Sequence, residues 1–120
     1  MHNIDQYKLL KNIKISNINR LIIGHLNINS LRNKIESLKL LMTGNLDILI
    51  ITESKLDESF PMQQFCIDGY APPFRVDRTK NGGGVIIYIR EDIPSKILVD
   101  HPSPTNFEGI FFEINLKKRK

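Results

Sequence analysis

Two short apolar segments with one helical pattern between them constrain the fold of this chain more than any other sequence feature. Segment 48–51 is a run of four aliphatic residues without polar alternation, which predicts a strand covered on both faces. Segment 21–28 is also rich in β-branched residues and predicts an earlier strand. A strand, a helix and a second strand within about 30 residues form a parallel crossover unit. The sequence therefore predicts a parallel pair of strands.

The residues between these strands have helical periodicity. Four apolar residues recur at spacings that place them on one face of a helix: Leu31, Ile35, Leu38 and Met42. Asn29-Ser30 predicts the start of this helix, because either side chain can cap free backbone N–H groups. Gly44 predicts its end.

Antiparallel strands are predicted farther along the chain. Segments 74–78 and 85–89 flank the sequence Asn-Gly-Gly-Gly at 81–84, and Asn-Gly tolerates the positive φ angles of a tight hairpin turn. Segments 96–99 and 107–116 predict two further strands. The predicted fold class is therefore α+β or layered α/β. Segment 1–19 is predicted to be an irregular arm or leader with at most one short helix. Segment 57–73 is predicted to be a loop.

Composition and charge restrict the possible classes of protein. A chain of 120 residues with 41% hydrophobic and 25% charged residues has the composition of one soluble domain. No apolar run approaches the ~18 residues of a membrane span, and the start has no secretory signal pattern. The lone Cys66 excludes an intramolecular disulfide and is predicted to be a small buried residue. We therefore expect an intracellular protein of the nucleus or cytoplasm, with no membrane association.

The net charge of +4 is concentrated in a basic tail, 117–120, which carries four positive charges. The remaining sequence, 1–116, is close to neutral. A basic segment raises affinity for polyanions such as nucleic acid, although a solvated terminus is a common alternative. The body of the chain thus gives little charge-based indication of a DNA surface.

Polar residues follow both strands of the predicted parallel pair. Asn27 lies at the end of the first strand, and Glu53 follows the second. The carboxyl ends of neighbouring parallel strands face the same crevice, so we expect these residues to lie side by side. Their oxygen atoms can hold a hard divalent cation. From the residues alone, the commoner explanation is that Asn27 is a capping or turn residue and Glu53 a solvated residue at a strand end.

These segments resemble the endonuclease/exonuclease/phosphatase superfamily, and specifically the apurinic-type endonuclease domain of non-LTR (LINE-type) retrotransposons. Segment 27–31 is similar to the family's first motif, whose asparagine helps to bind the metal. Segment 52–56 is similar to the second motif, whose glutamate is the principal metal ligand. Four further segments resemble the hairpin region and the next strand of retrotransposon members: 67–70, 75–78, 82–89 and 107–114.

The resemblance implies both a fold and an activity. Residues 20–116 would form the N-terminal half of a four-layer α/β/β/α sandwich, the DNase I-like fold. The activity would be metal-dependent hydrolysis of a DNA phosphodiester, with Mg²⁺ or Mn²⁺ bound by Asn27 and Glu53. The family's active-site tyrosine and its later aspartate–asparagine and aspartate–histidine pairs would all follow Lys120. We therefore expect the 120-residue chain to be an inactive, truncated fragment or the start of a longer protein.

A rival hypothesis is a non-catalytic nucleic-acid-binding or interaction module that uses the same half-fold. Five basic residues lie in or near loops from which they can reach DNA phosphates, although solvated surface charge is the commoner explanation: Arg32, Lys55, Arg75, Arg78 and Lys80. His25 is expected to point to the face opposite Asn27 or to pack. An uncovered apolar strand at 110–112 is expected to promote self-association.

Overall fold

A parallel pair of strands with a helix between them forms the centre of the fold, as the sequence predicts. The computed structural model describes residues 3–98 and 109–116. Strand β1, Ile23–Asn27, pairs in parallel with strand β2, Ile48–Thr52, so that Asn27 lies opposite Thr52. The predicted basic tail and the part of the predicted last strand before residue 109 lie outside the described residues.

The predicted antiparallel hairpin is confirmed, but its turn differs from the prediction. Strand β3, Phe74–Val76, pairs with strand β4, Val85–Ile89, and β4 also pairs antiparallel with β2. The sheet order is therefore β1-β2-β4-β3. Backbone bonds of 3.2 and 3.3 Å join Thr79 and Gly82, so the turn closes at the first of the three glycines. Positive φ occurs at Gly83 and Gly84, so the assignment of positive φ to Asn-Gly is wrong.

The helices differ from the prediction at their starts. Helix α2 is Ile35–Met42, and its N-cap is Lys34, so the predicted cap at Asn29-Ser30 is wrong. Asn29 and Ser30 have positive φ, and the N–H of Ser30 is bonded to a backbone carbonyl across the sheet end. Helix α1, Asn3–Ser16, occupies most of the segment predicted to be an irregular arm.

Two hydrophobic cores lie on opposite faces of the four-stranded sheet. On one face, α2 packs against the sheet through Leu38 and Met42, and α1 adds Leu10. On the other face, a ribbon packs through Phe112 and Ile114. This ribbon consists of antiparallel strands β5, Ser95–Ile97, and β6, Phe112–Ile114. The result is a mixed α+β domain with a helical layer, a four-stranded sheet and a two-stranded sheet.

A buried carboxylate joins several elements at the amino end of β2. The Asp47 side chain is 3% exposed, and its Oδ2 accepts a 2.6 Å hydrogen bond from the N–H of Ile22. Its Oδ1 forms an ion pair with Arg90 and lies 3.7 Å from the ammonium of Lys14. Asp47 therefore connects α1, the start of β1 and the residue after β4.

The segment between β2 and β3 is largely irregular, as predicted, with one short 3-10 helix at Met62–Phe65. Cys66 directly follows this helix and is exposed, so the prediction of a buried thiol is wrong. Among residues 3–98 and 109–116, no helix combines the length and apolar composition needed to cross a bilayer.

Candidate metal and phosphate site at the strand ends

Asn27 and Glu53 lie at the neighbouring carboxyl ends of β1 and β2. Asn27 is opposite Thr52 in the ladder, and Glu53 is the next residue. Beyond the strands, the N–H of Ser30 donates to the carbonyl of Glu53 at 2.8 Å. Two polar residues that are 26 positions apart in sequence therefore share one end of the sheet.

The backbone around these residues is strained. Among the described residues, every non-glycine residue with positive φ lies in the segments that follow β1 and β2, with φ of 49°, 85°, 57° and 54°: Asn29, Ser30, Glu53 and Lys55. Gly83 and Gly84, directly before β4, also have positive φ and accept hydrogen bonds from the N–H groups of Lys55 and Ser54. Such conformations cost of the order of 1–3 kcal/mol each and cluster at functional sites.

The two predicted metal ligands offer different donor atoms. Glu53 Oε2 accepts a 3.1 Å hydrogen bond from the N–H of Gly83, which fixes the orientation of the half-buried carboxylate. Glu53 Oε1 has no hydrogen-bond or ion-pair partner among the described residues. Asn27 is exposed at the strand end. The site therefore presents one oriented carboxylate and one neutral amide.

His25 and Thr52 are two neighbours of the site that sequence reasoning missed. Thr52 Oγ1 and His25 Nε2 lie 3.3 Å apart, in hydrogen-bond contact. Alternate residues of a strand share a face, so His25 lies on the same face as Asn27. The expectation that His25 points to the opposite face is therefore wrong, and the spacing of two residues was the signal that would have shown it.

The donor set suits a weakly held cation better than a closed metal centre. In the described part of the chain, no group of three or more His, Cys, Asp or Glu residues is arranged to hold a metal ion. Magnesium commonly keeps several waters and binds through one or two carboxylates. Glu53 with Asn27 therefore fits a largely hydrated divalent cation.

Four of the five predicted DNA contacts border this site. Lys55 Nζ donates to Asn29 Oδ1 at 2.5 Å. Arg32 donates to Ser30 Oγ at 3.2 Å and to the carbonyl of Lys80. Arg78 Nε donates to the carbonyl of Gly82 at 3.3 Å, next to the glycine that binds Glu53. We call these four residues the cationic rim: Arg32, Lys55, Arg78 and Lys80.

Lys34, which was not among the predicted contacts, also lies beside the site. Its Nζ donates to the carbonyls of Ile28 and Asn29 at 2.7 and 3.0 Å.

Hydrogen bonds from the Ser59 hydroxyl and N–H lower the pKa of the nearby Asp57 carboxyl, with smaller contributions from Lys80 and Arg32. The ionised Asp57 therefore offsets part of the positive charge of the rim.

Arg75 does not belong to the rim. Its side chain is 10% exposed, and its guanidinium forms hydrogen bonds with both carboxylate oxygens of Asp77. It also donates to the carbonyl of Asp57 at 2.9 Å and lies over the ring of Phe65. Arg75 is thus engaged inside the fold and is poorly available to a phosphate.

Comparison with known proteins adds no family assignment to this geometry. No protein-family model matches the sequence, and no curated protein matches it. Function is therefore inferred from the arrangement at the strand ends, where a carboxylate, an amide and several cationic side chains meet.

Proposed function

We propose that this chain forms the metal-binding half of an endonuclease/exonuclease/phosphatase-type domain related to the DNA endonuclease of non-LTR retrotransposons. The observation that carries the proposal is the position of Asn27 and Glu53 at the adjacent carboxyl ends of two parallel strands, where Asn27 pairs with Thr52 and Glu53 follows directly. The order of layers, with helices on one face of a sheet and a second sheet on the other, supports it. The same order is expected for the N-terminal half of the DNase I-like α/β/β/α sandwich.

In this function the site binds a metal ion and a DNA phosphate together. Glu53 Oε1 and the Asn27 amide oxygen would coordinate hydrated Mg²⁺ or Mn²⁺, which polarises a phosphoryl oxygen when bound. The cationic rim would hold the phosphodiester by charge, because a phosphate contact needs only a reachable positive group. These residues bind and orient, but none of them is arranged as a general base.

The 120-residue chain is therefore proposed to bind without cleaving. A positioned general base contributes about 10²–10⁴-fold to such a reaction. We expect no nicking of supercoiled plasmid DNA with Mg²⁺ or Mn²⁺, and Mn²⁺ binding with a Kd of about 1 mM or weaker. Plasmid nicking that depends on Glu53 would contradict the absence of cleavage.

Paramagnetic resonance of Mn²⁺ can test the location of the metal site. Glu53→Gln should remove the bound Mn²⁺ signal, because it replaces the carboxylate that the N–H of Gly83 orients at the strand ends. Glu58→Gln is the matched control, since Glu58 is exposed in the following loop and should leave binding unchanged. Equal binding by the parent and Glu53→Gln would show that the cation is held elsewhere, and low-micromolar binding by the parent would contradict the weak affinity.

The cationic rim also favours a second candidate function, a non-catalytic nucleic-acid-binding module. Two rim residues, Lys55 and Arg32, form hydrogen bonds with the segment that follows β1, and so does the neighbouring Lys34. None of these hydrogen bonds involves the Glu53 carboxylate. Binding of DNA to this module would be salt-dependent and unaffected by Mg²⁺ or Glu53→Gln. The metal-dependent proposal instead expects DNA affinity to rise with Mg²⁺ and to lose that increase in Glu53→Gln.

A further inference from the structure

In the described part of the chain, strand β1 has no neighbouring strand on the edge opposite β2. Hydrogen bonds from Ile48 to the carbonyl of Ile22 and from the N–H of Ile28 to Thr52 show which residues of this segment face β2. In a parallel ladder, alternate residues bond the same neighbour. Three residues of β1 therefore direct their backbone N–H and C=O groups away from the sheet, and none of these groups has a partner among the described residues: Ile23, His25 and Asn27.

This edge lacks the features that usually prevent strands from associating. Protected edges carry charged residues, proline or bulges, or are covered by another element. The sequence of β1 is Ile-Gly-His-Leu-Asn, which contains no lysine, arginine, carboxylate or proline. Ile23 is 54% exposed on its face. The edge is therefore open to pairing with a further strand.

The other edge strands of the described sheets differ from β1 in charge. β3 contains Arg75, β5 contains Lys96 and β6 contains Glu113. In β6, moreover, Phe112 and Ile114 already pack against the second core. The expected self-association through 110–112 is thus less favourable than pairing through β1.

We propose that β1 of one copy pairs antiparallel with β1 of a second copy, about a two-fold axis that passes between the two His25 residues. His25 then faces His25, and Ile23 faces Asn27 of the second copy. Each of these pairs is of the hydrogen-bonded type, so every outward N–H and C=O group of β1 gains a partner. The two four-stranded sheets become one continuous sheet.

A second copy suits this edge because the pairing is self-complementary and brings no like charges together. In the same register, Arg20 would lie opposite Ser30 of the second copy, not opposite another charge. Closed two-fold dimers are the commonest soluble homo-oligomers. A five-residue edge buries far less than the ~1,200 Å² of a stable interface, so we expect a reversible dimer with a Kd of about 0.01–1 mM.

The two-fold axis gives a specific test, because residue 25 faces itself. His25→Lys and His25→Glu each place like charges directly opposite one another, which destabilises a strand pair. Each variant alone should dimerise at least about 10-fold more weakly than the parent chain. An equimolar mixture of the two should recover association as a heterodimer. Sedimentation equilibrium of the 120-residue chain from micromolar to millimolar concentration measures all three.

Two further variants keep the test independent of folding defects. His25→Gln introduces a side chain without charge and should dimerise like the parent. His25→Pro removes an outward N–H without touching the bonds to β2, as edge strands tolerate, and should weaken the dimer. A parent chain that stays monomeric at millimolar concentration overturns the proposal. So does a mixture of the charged variants that remains as dissociated as each variant alone.

Discussion

Gly84, directly before β4, is constrained both by its backbone conformation and by close packing against Ser54. Its φ is +95°, and a Cβ atom built there would lie 2.4 Å from Ser54 Oγ. Ser54 is fully buried, and its hydroxyl has no hydrogen-bond partner in the described structure. A side chain at position 84 therefore meets both a conformational and a steric obstacle.

We expect Gly84→Ala to lower the free energy of unfolding by about 2–5 kcal/mol. A left-handed conformation costs a non-glycine residue about 1–2 kcal/mol, and overpacking costs a further 1–3 kcal/mol. Gly44→Ala is the matched control, since Gly44 has φ +79° but nothing within 4 Å of the added Cβ. That variant should lose only about 1 kcal/mol. Urea denaturation measures both.

Ser54→Ala separates the two causes. Removing an unpaired buried hydroxyl should be nearly neutral alone, and it should recover about 1 kcal/mol or more in the Gly84→Ala background. Equal destabilisation by Gly84→Ala and Gly44→Ala, with no recovery in the double variant, would show that packing against Ser54 contributes nothing.

Among the elements, α1 is held to the sheet through Asp47 as well as through Leu10. We expect Asp47→Ala to lower the free energy of unfolding by about 1–3 kcal/mol, because it leaves the N–H of Ile22 without an acceptor and removes the buried carboxylate that Arg90 contacts. Asp92 also pairs with Arg90 but is 64% exposed, so solvent screens the pair and Asp92→Ala should destabilise the fold much less than Asp47→Ala. Comparable losses in the two variants would contradict the importance of burial.

The elements that the sequence predicts correctly are those with a strong local pattern. The continuous run at 48–51 indicates a doubly covered strand, and β2 is indeed covered on both faces. The helix cap at Asn29-Ser30 was wrong because the backbone there bonds to the carbonyls of Glu53 and Ser54 instead. Local capping preference cannot reveal such long-range bonds. In α1, the apolar residues face several directions, so no clean period indicated a helix.

The candidate site was predictable only where strand geometry alone decides the outcome. Neighbouring parallel strands suffice to bring Asn27 and Glu53 together. The ion pair between Arg75 and Asp77 is not among the predictions. The sequence does contain a signal for it, because positions 75 and 77 lie on the same face of an extended segment and carry opposite charges. The burial of Asp47 depends on partners from three separate elements. These partners are far apart in the sequence, so no local pattern around Asp47 reveals its burial.

At the scale of the whole molecule, two buried tyrosines join the helical face of the sheet to the irregular segment. The hydroxyl of Tyr70 lies 2.6 Å from the carbonyl of Leu46, and that of Tyr88 donates to Phe65 at 2.6 Å. The two rings meet edge to face. Burial raises the pKa of Tyr70 to about 12 and raises the pKa of Tyr88 as well.

These shifts predict unfolding at alkaline pH. Because the folded pKa of Tyr70 exceeds the ordinary value of 10.0, its contribution to stability is complete below pH 10 and is lost as pH rises through about 12. We expect tyrosinate absorbance from the buried rings to appear together with loss of circular dichroism. Tyr70→Phe should reduce the slope of unfolding free energy against pH in this window. An unchanged slope in Tyr70→Phe would contradict the raised pKa of Tyr70 as a cause of alkaline unfolding.

The central position of β2 has a consequence for the order in which the chain is made. β2 leaves the ribosome with its partner β1 already synthesised, but its other partner, β4, begins 33 residues after Thr52. At about 5–20 residues per second, one side of this aliphatic strand stays unpaired for roughly 2–7 s. During that interval the nascent chain exposes segment 48–51, a short hydrophobic stretch of the kind that chaperones bind.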